Sequence, residues 1–374
     1  MLLKNGKGQL AEIGEKMQLI ENKQYLAVLK RLLSGFPHWD RLEGKQLLIS
    51  GAAGMIGSLL IDAIMLGNEA RPKNRRCEIL ALGRNQDAAR LRFAQWWERP
   101  EFYFVKHDIT EPLGSLPIQP DYWIHAASTT HPVAYAAEPI NTILSNVLGT
   151  RNLLEKAASN KGSRFLLLSS VEIYGENRGD TEYFKEDYCG YLDCNTLRAG
   201  YPEAKRTSEA LCQAYISQKN VDAVILRLPR CYGPSMRMSD TKAIAQFIKK
   251  AVNGENIVLK SNGEQRYSFA HAADAVLGML FVLLCGTTGQ AYNLASEQSD
   301  VMQKDLAKLI AAYAGTHVVF DIPSEAERRG YSTATKALMA GSKLEKLGWR
   351  ARYDIRTGIQ ETISILKSFQ TNEI

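Results

Sequence analysis

From residue 45 onward, short apolar runs alternate with longer segments whose apolar residues recur at helical spacing. Buried strands are expected over 46–49, 78–82, 102–105, 122–127, 164–170 and 223–228. Helices are expected over 58–66, 139–158 and 202–218. Strands separated by helices imply right-handed βαβ units and a parallel sheet. The expected class is α/β: a Rossmann-type doubly wound parallel sheet with a smaller C-terminal α/β substrate lobe. After Pro234 the pattern loosens into helices and short strands. The expected organisation is an N-terminal helical extension over 1–44, a dinucleotide-binding domain over 45–234 with a return segment near 265–285, and a substrate lobe over 235–374. Within the extension, Leu19, Ile20, Tyr25, Leu26, Val28, Leu29, Leu32 and Leu33 fall at helical spacing. They read as an extra helix packed on the body, with a partner contact as the other reading.

The first strand runs into Ser50-Gly51-Ala52-Ala53-Gly54-Met55-Ile56-Gly57, and an apolar helix pattern follows at once. Glycines allow a tight turn and a close backbone approach to a pyrophosphate, and the helix N-terminus adds free N–H groups. The spacing is Gly-x-x-Gly-x-x-Gly. In its strand–turn–helix setting it reads as a dinucleotide cradle formed by Gly51, Gly54, Met55, Ile56 and Gly57, not simply as a turn.

Composition narrows the partners. Lys plus Arg number 46 against 40 for Asp plus Glu, a mild excess that suits an anionic small ligand. No basic run or basic-aromatic stripe points to nucleic acid. The longest apolar run, 275–285, is too short to span a bilayer and reads as a core helix. Residues 1–7 lack the apolar core of a signal peptide. The six cysteines contain no Cys-x-x-Cys pair, so reduced thiols, no metal site and a cytoplasmic location are expected.

In doubly wound sheets, ligands bind at the carboxyl ends of the strands. After the second strand stands Gly83-Arg84-Asn85, where a carboxylate would hold the ribose hydroxyls of NAD. Arg84 suits the 2′-phosphate of NADP, or else stacks on adenine or is solvated, so the cofactor reading stays NAD or NADP. Asp108, followed by Ile109, is placed to accept from the adenine amino group, or is a turn residue. Ala126, Ala127 and Ser128 close the fourth strand beside the cradle.

The reacting groups follow the fifth strand. Ser170 ends it, Glu172 lies two residues on, and Tyr201 and Lys205 sit four apart on one helical face. An ammonium beside a phenol lowers the phenol pKa, so Tyr201 can take a hydroxyl proton while hydride leaves the same carbon. Ser170 would hydrogen-bond that hydroxyl, and Lys205 would also reach the nicotinamide ribose.

At these residues the chain resembles the extended short-chain dehydrogenase/reductase family that acts on nucleotide sugars. Further matches are His125-Ala126-Ala127, Asn146 with Gly149-Thr150, Tyr232-Gly233-Pro234 and Ala291-Tyr292-Asn293-Leu294. The resemblance spans about residues 45–320 and implies a nucleotide-sugar substrate, a C-terminal substrate lobe and a homodimer. Glu172 narrows the branch. Oxidation at sugar C4 gives a ketone that acidifies the C5 proton, which Glu172 could remove as a general base. A C6 carboxylate would then make a β-keto acid, which loses carbon dioxide; a C6 hydroxyl would leave as water.

Residues 125–139, with Pro132, Tyr135 and Pro139, and residues 200–206 resemble the UDP-glucuronate decarboxylase branch. That branch has Ser at Val171, Asn at Arg230 and an arginine at Tyr267. The neighbouring Arg266 is one place off. Three changed positions suggest a related but different substrate. His131, Tyr135, Arg230, Arg266 and Tyr267 are the expected sugar contacts, although His131 also reads as a loop histidine. Arg237 and Lys242 are candidates for the substrate phosphates. Glu172 as a cap or salt-bridge carboxylate, and Arg230 or Arg266 paired to an acidic neighbour, are the bland readings. A decarboxylase-like activity leads. Dehydration, 4-epimerisation and ketoreduction are alternatives, and a non-catalytic dinucleotide sensor is the alternative of another class. A sensor has no use for Ser170, Tyr201 and Lys205 together.

Overall fold

The computed structural model describes residues 18–114, 119–128, 130, 137–322 and 335–371. Thirteen strands are assigned among them. They are β1 Gln46–Ser50, β2 Glu78–Gly83, β3 Phe102–Lys106, β4 Tyr122–His125, β5 Arg164–Ser170, β6 Asp222–Leu228, β7 Arg230–Tyr232, β8 Ile257–Leu259, β9 Arg266–His271, β10 Ala291–Asn293, β11 Asp300–Met302, β12 Val318–Phe320 and β13 Lys336–Ala337. Seven form one parallel sheet in the order β10-β6-β5-β4-β1-β2-β3. The α/β class and the six expected main strands are therefore present. β10 adds a seventh at the β6 edge. The order reverses direction between β1 and β4, which opens the crevice where such sheets bind ligands.

The sheet is covered on both faces, so its strands are apolar at successive positions. Alternate residues serve different cores, as the two-residue strand period requires. Leu47, Ile49, Ile124, Leu166, Leu168, Val224 and Leu226 pack with helices Met55–Glu69 and Ala272–Cys285. Leu48, Trp123, Phe165, Leu167, Ala223 and Ile225 pack instead with Leu153, Leu154 and Cys212, from helices Pro139–Ser159 and Gly200–Lys219. The long apolar run is thus the core helix Ala272–Cys285, buried from Ala272 to Leu284. Among the described residues no helix is long and apolar enough to cross a membrane.

A third core lies in the C-terminal half. Ile248, Ile257, Leu259, Phe269, Leu306, Ile310, Ile359 and Ile363 gather there, joined by Val171 and Tyr174 from the loop after β5. In this half β9 pairs with β7, β11 and β13, and β8 pairs with β12. That loop and β7 join the two halves at the site.

The N-terminal segment contributes helix Lys23–Ser34, capped by Asn22, whose side chain accepts from the Tyr25 N–H. Tyr25, Val28, Leu29 and Leu32 are buried in the same core as the glycine-loop helix. Asp62 of that helix is fully buried. It accepts from the Tyr25 hydroxyl at 2.7 Å and the Trp96 indole at 2.9 Å, and it pairs with Arg92. The extension is an added helix locked to the cradle helix through one buried carboxylate.

Candidate active site

The crevice between β1 and β4 holds the glycine loop. Gly51 has φ +70°, and a Cβ there would lie 2.6 Å from the Ala127 backbone nitrogen. A Cβ at Gly57 would lie 2.7 Å from the Gly51 carbonyl oxygen. The loop is therefore folded onto itself and onto the end of β4, and larger residues do not fit. Gly54 is the N-cap of helix Met55–Glu69; no side chain caps it and no acid occupies its first turn. The first N–H groups and the helix dipole remain available to an anion, as a dinucleotide pyrophosphate requires. The cradle fits that group.

A buried pair pins the loop. The Ser50 hydroxyl lies 2.8 Å from His125 Nδ1, and its oxygen accepts from the Ala127 N–H at 3.3 Å. The Ala126 N–H donates to the Ser50 carbonyl at 3.2 Å. Burial drives the His125 pKa down to about 3, so the ring is neutral.

At the end of β2, Arg84 is exposed and its nearest guanidinium nitrogen is 3.9 Å from Asp108. Asp108 Oδ1 accepts from the Thr110 N–H and hydroxyl, and these bonds lower its pKa. Ile109 packs against Gly149, where an added Cβ would lie 2.5 Å from it. The Asn85 side chain caps the next helix by accepting from the Ala88 N–H at 2.9 Å.

The expected reacting groups converge on one point. Tyr201 is 6% exposed and Lys205 3%. The Tyr201 hydroxyl is hydrogen-bonded with Ser170 and Ser128. Burial raises its pKa well above the usual phenol value, the hydroxyl bonds oppose that, and the nearby Glu172 charge adds to it. Ser170 Oγ accepts from the Glu172 N–H at 3.2 Å, which leaves its own proton for the Tyr201 oxygen. Ser128 donates to Asn146 Oδ1 at 2.9 Å. Lys205 Nζ donates to the Leu168 carbonyl at 2.8 Å and stands 5.9 Å from the Tyr201 ring centre. Burial lowers the Lys205 pKa to about 8, against the opposing pull of Glu209.

Glu172 and Arg230 pair at 3.5 Å. The Arg230 guanidinium lies 3.6 Å above the Tyr267 ring. Its Nη1 is buried and has no hydrogen-bond partner among the described residues. Arg266 is next to Tyr267 on β9 and so points to the opposite face. It stands beside Glu182, at 4.0 Å. Tyr267 thus stands against Arg230, the partner of Glu172, and Arg266 beside Glu182. Val171 is buried and apolar beside Glu172. Arg237 reaches back from the loop after β7 and donates to the Ala53 carbonyl at 3.0 Å. Lys242 Nζ donates to Thr130 Oγ1 at 3.1 Å. His131 and Tyr135 lie outside the described residues.

A supporting network escaped the sequence reading. Arg227 on β6 donates to both oxygens of Glu209, at 3.0 and 2.7 Å, and to the Tyr174 hydroxyl at 2.8 Å. Ser169 donates to the same Glu209 at 2.5 Å, and Tyr174 donates to Asn293 on β10 at 2.6 Å. The network ties the helix bearing Tyr201 and Lys205 to three strand ends. Its only signal in the sequence is a charged residue, Arg227, inside an otherwise apolar strand.

A family model described as the NAD dependent epimerase/dehydratase family matches residues 47–295. That span covers the cradle, the Ser170 strand, the Tyr201 helix and β10. The chain belongs to the NAD dependent epimerase/dehydratase family. Within it, the chain is 30% identical over 322 residues to UDP-glucuronic acid decarboxylase 1 of Xenopus tropicalis, covering 85% of this chain and 71% of that one. It is also 30% identical over 317 residues to UDP-glucuronic acid decarboxylase 5 of Arabidopsis thaliana, with 84% and 87% covered. Among solved structures, the dTDP-glucose 4,6-dehydratase DesIV of Streptomyces venezuelae, with NAD and TYD bound, shares the fold. Its TM-score is 0.73 at 23% identity, over 86% of this chain and 97% of that one. UDP-glucuronic acid 4-epimerase of Bacillus cereus, in complex with UDP-glucuronic acid and NAD, has a TM-score of 0.72 at 21% identity over 86% and 99%.

Proposed function

We propose that this protein converts a nucleotide-linked sugar acid through a transient 4-ketone and releases its C6 carboxyl as carbon dioxide. The observation that carries this reading is the joining of two groups in one pocket. The Tyr201–Ser170 hydroxyl pair sits beside Glu172, and Glu172 is in turn paired with an arginine whose inner nitrogen has no partner among the described residues. The decarboxylase names of the two relatives favour the same branch.

The residues divide the work as follows. Gly51, Gly54, Met55, Ile56 and Gly57, with Ala126 and Ala127, form the seat of the nicotinamide cofactor, with Arg84, Asn85, Asp108 and Ile109 at its adenosine end. That cofactor supplies reversible hydride acceptance at C4. Ser170 holds the C4 oxygen while Tyr201 takes its proton. Lys205 stabilises the phenolate, and the Ser128–Asn146 contact fixes the phenol in place. Once C4 is a ketone, the C5–C6 bond breaks, its electron pair passes into the C4–C5 enolate, and C6 leaves as carbon dioxide. C5 then needs one proton, which Glu172 takes up from solvent and passes on. Arg230 offers its free Nη1 to the sugar carboxylate, because a charge-assisted pair is the economical partner for a buried guanidinium nitrogen. Val171 carries no proton for a departing hydroxyl, which disfavours dehydration. Arg237 and Lys242 flank the expected nucleotide end.

Two coarser readings accompany this. Ile140, Ile143 and Leu144 are exposed on helix Pro139–Ser159, which packs against the Tyr201 helix, and Leu197 is exposed just before the latter. We read this apolar face as the contact of a homodimer, testable by light scattering. A cytoplasmic location agrees with six unpaired cysteines.

The test is mass spectrometry of the protein incubated with a panel of nucleotide sugars and both dinucleotides. Loss of about 44 mass units from UDP-glucuronate supports the reading; loss of about 18, no change, or a gain of about 2 assigns dehydration, epimerisation or reduction instead.

A further inference from the structure

Resting on the decarboxylase reading above, we propose that Tyr267 is a positioning residue that acts through Arg230. Its ring face holds the Arg230 guanidinium so that one edge meets Glu172 and another is kept for the sugar carboxylate. The strands set this up. Residues 267 and 269 share one face of β9, because side chains alternate along a strand. Arg230 on β7 stands in register with Phe269. Tyr267 is thus a diagonal neighbour of Arg230, and the guanidinium carbon lies 3.6 Å from its ring centre. The ring is fixed from all sides. The Tyr267 backbone is flanked by Val301 of β11 and Ala337 of β13. The residue is 6% exposed, and its ring meets that of Phe269 edge-on at 6.5 Å.

A guanidinium is planar and carries its five N–H groups in that plane. With a ring over one face, its hydrogen bonds form at the edges. An arginine and a carboxylate commonly settle into a fork of two parallel N–H···O bonds. Arg230 and Glu172 do not. Nη2 stands 3.5 Å from Glu172 Oε1, while Nη1 is buried with no hydrogen-bond partner among the described residues. The ring sets the plane of the guanidinium, and its tether to β7 sets the direction within that plane. Tilting it into the fork would give up a cation–π contact that strengthens where water is excluded.

The stack therefore makes one cation serve two carboxylates, that of Glu172 and that of the sugar. A buried charged donor is best satisfied by a charged acceptor. A uronate brings one at C6, next to the C5–C6 bond that breaks. The matching neutral sugar brings only a hydroxyl there, a weaker acceptor. Without the ring, Arg230 is free to close both nitrogens onto Glu172, and the uronate loses its advantage. A lysine at 230 would keep the charge but has no flat face to stack.

The experiment is steady-state kinetics of carbon dioxide release from UDP-glucuronate by the full-length protein with dinucleotide present, with UDP-glucose as a competing inhibitor. Tyr267→Leu is expected to raise KM for UDP-glucuronate about tenfold, the scale of one desolvated cation–π contact. The change falls on KM rather than kcat, and the inhibition constant of UDP-glucose stays within about twofold. Tyr267→Phe keeps the ring face and is expected to stay within about threefold of wild type. Arg230→Lys should give a rise like that of Tyr267→Leu, and combining the two should add less than about twofold, because both remove the same contact. If Tyr267→Leu does not fold, Arg230→Lys carries the test. An unchanged KM in either single variant would overturn the proposal and leave the decarboxylase reading standing. So would an equal weakening of UDP-glucose, or Tyr267→Phe as damaged as Tyr267→Leu. A wild type that releases no carbon dioxide from UDP-glucuronate would overturn both.

Discussion

Replacing Asp62 with Leu tests whether the N-terminal helix supports the cofactor cradle. Asp62 lies two turns into the helix that the glycine loop opens, and it accepts from Tyr25, Arg92 and Trp96. The variant leaves the Arg92 guanidinium buried without its counter-charge and removes the acceptor of three further donors, on Tyr25, Trp96 and Gln95. Breaking a buried pair by removing one partner costs about 3–5 kcal/mol. With an unfolding entropy of about 2.1 cal/mol/K per residue over 374 residues, 3 kcal/mol lowers the melting temperature by about 4 °C. A double variant, Asp62→Leu with Arg92→Met, removes both charges and leaves the neutral donors of Tyr25, Trp96 and Gln95 without this acceptor. It should recover more than half of that loss, because replacing a whole buried pair by apolar groups is close to neutral. Melting followed by tryptophan fluorescence reads both shifts, and cofactor titration at 25 °C reads the effect on the cradle. A single-variant shift under about 1 °C, or a double variant no better than the single, would refute the reasoning.

Three further outcomes are expected at the site. Tyr201→Phe should lower kcat by about 10²- to 10⁴-fold with cofactor affinity retained, as measured by steady-state kinetics beside direct titration. The Lys205 ammonium is present below its pKa of about 8 and lost above it. If that charge supports proton removal by Tyr201, kcat/KM of the free enzyme falls as pH rises through 8, not near the usual lysine value, and Lys205→Met abolishes this limb. The same depressed pKa means the unfolded chain binds one more proton between about 8 and 10.5, so this group makes stability rise with pH over that window. Gly51→Ala forces a Cβ to 2.6 Å from backbone at φ +70°, and titration should show cofactor binding reduced more than any change in melting temperature predicts.

Local pattern was enough to read six strands of the main sheet, because most are buried as short, largely apolar runs. The glycine loop, Ser170, Tyr201 and Lys205 stand where pattern placed them, the loop between a strand and a helix, Ser170 at a strand end, and Tyr201 and Lys205 on one helix. β10 was not placed in the main sheet in advance, since three residues after a loop carry no period. The pairing of Glu172 with Arg230, and the cover Tyr267 gives it, depend on β7 lying beside β9, a contact between segments distant in sequence. Arg266 illustrates the same limit. One residue of register decides which side chain of a strand faces a given neighbour, and the sequence alone left both Arg266 and Tyr267 as candidates. The Asp62 lock was equally hidden, because an aspartate inside an apolar helix reads as an interruption until Tyr25, Arg92 and Trp96 are seen around it.

In the proposed reaction Tyr201 takes the C4 hydroxyl proton, the hydride would pass to the dinucleotide, C6 is lost, and Glu172 passes a solvent proton to C5. Incubation of the enzyme with UDP-glucuronate and dinucleotide in deuterated water tests it directly, with the product read by mass spectrometry and proton NMR. The expected product is a UDP-pentose carrying one deuterium at C5, with none of it formed by Tyr201→Phe. A product that retains all six sugar carbons, or UDP-pentose formed equally by Tyr201→Phe, would contradict it.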